Sequence, residues 1–138
     1  MPTGVVEEIS NILHIGKGGN GETYGDRTPA IWFQPMTTQL LIASAINGNP
    51  NRHYITDSIP MNEWTRVEVS QLRQTDGSYL FAIRIAGTVV IKTLNGYPLE
   101  FSDVKAYTSD NYYPSSKARI DNLEIRTVPD DYTIGELS

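Results

Sequence analysis

The chain contains no cysteine, which removes disulfides, thiolate metal sites and cysteine nucleophiles together. Positive charge is scarce: 11 basic residues, only four of them lysine, face 16 acidic ones, for a formal charge of −5. Nucleic-acid binding rests on clustered cations that neutralise phosphates, so nucleic acid is not an expected partner. Histidine occurs only at His14 and His53. Two imidazoles are too few for a zinc site without carboxylate help, and a lone histidine in a strand is more often structural than a ligand. No apolar run approaches the length of a membrane span, and the opening Met1-Pro2-Thr3-Gly4 carries neither the basic nor the apolar region of a signal peptide, so membrane insertion is not expected. No window of a dozen residues carries a helical stripe.

What is present alternates. In "WTRVEVSQL", residues 64–72, Val67 and Val69 alternate with Arg66, Glu68 and Ser70, the two-residue period of a strand with one wet face. A turn at Asp76-Gly77 leads into "YLFAIRIAG", where Phe81, Ile83 and Ile85 share a face, and Ala86-Gly87 turns the chain into "TVVIKTL". This reads as a three-strand meander. Further short strands are expected at "ILHI", "AIWFQP", "QLLIASAI", "HYIT", "FSDVKAYT" and "ARIDNLEIRT", each bounded by Gly, Pro, Asn or Asp. Trp32 and Trp64 lie within these patterns and are expected in the core. In the last segment the apolar parity changes between Ile120 and Leu123, which predicts a β-bulge near Asp121-Asn122. Roughly nine or ten strands in a chain of this length make an all-β, antiparallel β-sandwich. The composition, 39% hydrophobic and 20% charged, is that of one folded domain over residues 1–128, with a tail, 129–138, entered through Pro129.

One stretch invites a catalytic reading. "HIGKGGNGETY" sets Gly16, Gly18 and Gly21 in the spacing G-x-G-x-x-G. A dinucleotide fingerprint works because a helix N-terminus follows the glycines and faces a pyrophosphate. Here the chain runs through Gly25 and Pro29 into "AIWF", a turn and then a strand. A kinase-type loop would need a lysine on the next strand and later H-R-D and D-F-G motifs, and none of these occurs. The glycines are read as serving an exposed turn.

The order "NEWTRVEVSQ", "GSYLFAIRIAGTVV", "FSDVKAYTSD" and "ARIDNLEIRT" resembles the laminin-G-like branch of the concanavalin A-like jelly rolls, over residues 12–127. The resemblance implies a jelly-roll sandwich of the extracellular matrix type, outside the cell, that binds a glycan or an extracellular protein. Laminarinase-type enzymes share that fold, but the carboxylate triplet E-x-D-x-x-E of their retaining mechanism is absent. Asp121 and Glu124 are the nearest pair, and a separation of three places them on opposite strand faces unless the bulge intervenes. The expectation is a binding module rather than an enzyme, with a self-associating structural domain as the alternative.

Candidate site residues follow from residue type and loop position. Calcium takes hard oxygen ligands, and in the resembled domains an aspartate just before a strand commonly coordinates it; Asp26 occupies that place, with Asn47 as a helper from "INGNPN". A turn aspartate capping a local amide is the alternative for Asp26. Tyr112 and Tyr113 in "SDNYYPSS" are the candidate sugar-stacking rings, with Asp110, Asn111 and Asn49 as hydroxyl partners; one tyrosine tucked over the sheet edge is the competing arrangement. The resembled domains also open with a strand that precedes a "P-T-G"-like turn, and this chain begins at that turn. An open sheet edge is therefore expected, with "DYTIGEL", residues 131–137, as a strand that fills it in the same molecule or a neighbour, making homo-oligomers.

Overall fold

A computed structural model describes residues 1–101 and 103–127. The tail at 129–138, including the strand expected at 131–137, lies outside the described residues. Eight strands are present among the described residues: β1 (Ser10–Gly16), β2 (Ala30–Phe33), β3 (Gln39–Ile46), β4 (Asn49–Ser58), β5 (Val67–Arg73), β6 (Tyr79–Ile85), β7 (Thr88–Asn95) and β8 (Lys105–Tyr107). They form two antiparallel sheets, ordered β4-β3-β2-β1-β8 and β5-β6-β7. The protein is an all-β sandwich, as the alternation in its sequence implies.

The strand period sorts side chains into two layers. In β2, Ile31 and Phe33 join the main core while Ala30 and Trp32 belong to a second cluster on the opposite face; β3 repeats this with Leu40, Ile42 and Ile46 against Leu41 and Ala43. The main core closes against Phe81 and Ile83 of β6, flanked by Val67, Val69, Ile85 and Ile91. Full burial of a side chain of this size contributes about 1.5–3 kcal/mol, so this seam between sheets dominates the favourable side of folding. β1 needs a correction of register to take part. Ser10 and Asn11 stand opposite Phe33 and Trp32, and a slip between Asn11 and Leu13 then brings Leu13 and Ile15 into the core.

Hairpin turns hold the sheets in register. Asn47-Gly48 and Ala86-Gly87 both adopt left-handed backbone at each central residue, with φ of 53° and 80°, and of 51° and 82°. Such two-residue turns match the twist of the strands they join.

Three expectations are corrected. Trp64 is 58% exposed, because β5 begins only at Val67 and the residues before it have no sheet to pack against. "FSDVKAYT" is reduced to the short β8, which pairs with β1. "ARIDNLEIRT" forms no strand: residues 117–119 bond to residues 1–3 through Thr3, Met1 and Arg119, and beyond them no ladder exists among the described residues. Asn122 is left-handed, with φ of 51°, at the place where the parity break predicts a bulge. With no partner strand among the described residues it is a kink rather than a ladder bulge, and Ile120, Leu123 and Ile125 are exposed.

Candidate functional site

Two loops, 17–29 and 108–115, meet on the outer face of the larger sheet, and His14 of β1 joins them. It stands in register with Ala30 on one side and Tyr107 on the other. Its Nε2 donates to the main-chain carbonyl of Asp26 at 2.7 Å, since a carbonyl can only accept. Its Nδ1 lies 2.6 Å from Oδ2 of Asp110, and the two side chains are 5% and 4% exposed. Both ring nitrogens are thus engaged within the protein. The other carboxylate oxygen of Asp110 accepts the N–H groups of Tyr112 and Tyr113 at 3.0 and 3.2 Å. One carboxylate therefore shapes the tyrosine loop and ties it to β1, in the manner of an Asx turn.

Asp26 organises the glycine loop. Its Oδ2 accepts from Thr23 at 2.9 Å and from Gly21 at 3.2 Å. Gly16 passes so close that a Cβ there would lie 2.0 Å from the Asp26 carbonyl oxygen, and a Cβ on Gly19 would lie 2.2 Å from its carboxylate. Of the three glycines in the G-x-G-x-x-G spacing, Gly16 is required by packing on the Asp26 backbone, Gly21 abuts the Arg27 side chain, and Gly18 and Gly21 adopt left-handed backbone with φ of 121° and 119°. Gly16→Ala is expected to destabilise the fold by about 1–3 kcal/mol, since the clash is with backbone rather than a flexible side chain. Chemical denaturation reads this out; an unchanged midpoint would show that the loop yields freely.

Behind the loops lies a stack of rings. The Arg27 guanidinium sits 4.6 Å from the Trp32 ring centroid and donates to the side-chain oxygens of Asn20 and Asn51. Trp32 meets Tyr113 edge-on at 5.8 Å and His14 at 6.3 Å.

Between the loops is a cleft of about 130 Å³. Gly16, Gly18 and Gly19 form one wall, Tyr107, Ser109, Asn111 and Tyr112 the other, and His14 with Asp110 lies at its base. The Tyr112 hydroxyl donates to the Gly18 carbonyl at 2.8 Å, linking the walls, and its ring stands 6.1 Å from that of His14. A larger hollow of about 530 Å³, bounded by Asp76, Leu80, Lys92 and Leu94, has no aromatic side chain among its described lining residues.

Asp110, Asn111 and Tyr112 line the cleft together, while Tyr113 is half-buried against Trp32. Asn49 starts β4, accepts the Asn51 N–H and does not line the cleft. Asn47 bonds Gly96 and Leu94 beyond and within β7, and it shares no hydrogen-bond partner with Asp26. No group of three or more His, Asp or Glu side chains suited to a metal ion occurs among the described residues. His14, Tyr107 and Ser109 are the lining side chains that reading by residue type passes over. The signal for His14 was its place next to the glycine loop, but its partner Asp110 is 96 positions away.

Comparison with protein-family models, with curated proteins and with solved structures returns no match. The fold and site define the class as an antiparallel β-sandwich with a tyrosine-walled cleft between two loops at one sheet edge.

Proposed function

We propose that this chain is a non-enzymatic, lectin-like binding module, of laminin-G-like type and extracellular setting, that takes a glycan in the cleft between its glycine and tyrosine loops. The observation that carries the reading is the pair Tyr107 and Tyr112, 44% and 45% exposed, on one wall beside Asn111 and Ser109. Rings of this kind offer an apolar face for sugar C–H groups, and amide and hydroxyl side chains exchange hydrogen bonds with sugar hydroxyls. Tyr112 is anchored through its hydroxyl, so less freedom is lost when a ligand packs against it.

The same geometry favours binding over hydrolysis. A retaining glycosidase needs two carboxylates about 5–5.5 Å apart, whereas Asp110 is the single carboxylate among the described residues that line the cleft and is held by three hydrogen bonds. Calcium takes six to eight oxygen ligands, and the residues fit it poorly. Oδ2 of Asp26 and Oδ1 of Asn47 already accept backbone N–H groups, so an ion would compete with the turns they hold. An extracellular protein is the other class of ligand the cleft would suit.

A glycan array run with calcium and again with chelator tests the reading. Tyr112→Ala should weaken the best hit by roughly 1–2 kcal/mol while the melting temperature barely moves, because a half-exposed ring contributes little to folding. Absence of any glycan hit under both conditions would sink the glycan assignment and favour the assembly reading, which draws on the exposed Ile120, Leu123 and Ile125.

A further inference from the structure

We propose that the cleft between the glycine and tyrosine loops is selective for an N-acetylated sugar unit, whose acetamido carbonyl bonds the main-chain N–H groups of Gly18 and Gly19. The inference rests on the glycan reading and names the class of sugar. It starts from the polar groups on the cleft walls. His14 uses both ring nitrogens, Asp110 accepts three bonds, the Gly18 carbonyl accepts from Tyr112, and the Ser109 hydroxyl pairs with that of Ser115. The N–H groups of Gly18 and Gly19, the Asn111 side-chain amide and the Tyr107 hydroxyl have no partner among the described residues.

The two glycine amides can only donate, whereas Asn111 and Tyr107 can donate or accept. The glycine wall therefore calls for an acceptor with no proton of its own. A sugar hydroxyl brings a proton that needs a further acceptor, and a donor left unmet on burial is penalised. A carbonyl brings none. A carboxylate would also accept, but no lysine or arginine is among the described lining residues, and the ligand would stand against the Asp110 carboxylate in a protein of formal charge −5. The acetamido group is neutral and matches each surface: its carbonyl suits the glycine amides, its N–H the Asn111 side-chain oxygen, and its methyl the exposed rings of Tyr107 and Tyr112. The glycine wall carries no side chain, and even a Cβ placed on Gly18 would meet nothing within 4 Å, so a ligand reaches the main chain directly. At about 130 Å³ the cleft is smaller than the roughly 300–1,000 Å³ of sites for drug-sized ligands, so a single sugar residue is a sufficient probe.

The test is an NMR titration of the isotope-labelled chain with N-acetylglucosamine, N-acetylgalactosamine, glucose, galactose and glucuronic acid as separate probes. The acetamido sugars should bind at least about tenfold more tightly than the hexoses. They alone should move the Gly18 and Gly19 amide protons downfield, the change expected of an N–H that gains an acceptor. Asn111→Ala should lower the preference for the acetamido sugars; the Asn111 side chain makes no hydrogen bond with the described residues, so the fold survives. Unmoved Gly18 and Gly19 signals, equal binding of the hexoses, tighter binding of glucuronic acid, or an unchanged preference in Asn111→Ala would overturn this inference and leave the lectin-like reading standing. So would array hits that all lack an N-acetylated sugar. No binding of any probe, together with no hit on the glycan array, would bring down that reading and this inference with it.

Discussion

Asp110→Ala is expected to lower the unfolding free energy by about 3–5 kcal/mol, because it removes one member of a buried pair and leaves the other without its partner. The loss is compounded locally. Asp110 bonds His14 with one oxygen and the Tyr112 and Tyr113 amides with the other, so alanine releases the tyrosine loop from β1 at both points. Urea denaturation of Asp110→Ala, His14→Ala and the double variant measures the coupling, and the double variant should cost clearly less than the sum of the single ones. Strict additivity would mean that the contact at 2.6 Å contributes nothing. Asp110→Asn separates charge from shape. It keeps an acceptor for the two amides while weakening the bond to His14, so it should retain more stability than alanine. Glycan binding should fall further in Asp110→Ala than in Asp110→Asn, since Tyr112 is positioned through the Asp110 acceptor.

Trp32→Ala should be of similar size, about 3–5 kcal/mol, the range for deleting a large buried aromatic. Trp32 is 1% exposed and lies under Arg27, beside His14 and Tyr113, so the cavity would open beneath both site loops. Arg27 would also lose the ring face that partly compensates its charge in a buried position. Trp32→Phe should be far milder. The indole Nε1 is buried without a hydrogen-bond partner, and removing a desolvated donor offsets part of the lost volume. Tryptophan emission gives an independent check: with Trp32 buried and Trp64 exposed, Trp32→Phe should leave only the red-shifted component characteristic of a solvated indole. A remaining blue-shifted emission would place Trp64, not Trp32, in the interior.

The sequence determined the strands that hold the sandwich together. In "AIWF" and "QLLIASAI" it also determined which residues face the seam, because alternation is a local consequence of the pleat and needs no knowledge of the partner. The turns at Asp76-Gly77 and Ala86-Gly87 were legible because Gly77 and Gly87 take left-handed backbone without strain, although Ala86 is held there, at φ of 51°, by the hairpin rather than by its own preference. Clustering of Asp110, Asn111 and Tyr112 on one loop was also visible, since they are neighbours in the chain.

Only the tertiary structure decided the rest. The sandwich brings His14 against Asp110 across 96 positions, and no local pattern encodes that meeting. Tyr112 and Tyr113 are adjacent and chemically alike, yet one walls the cleft and the other packs on Trp32, a choice made by a carboxylate that accepts both their amides. The alternation at Trp64 and in "ARIDNLEIRT" was real but did not become buried strand. An alternating pattern makes one face able to bury; burial and pairing require a neighbour in space, and beside residues 120–127 the described chain provides none.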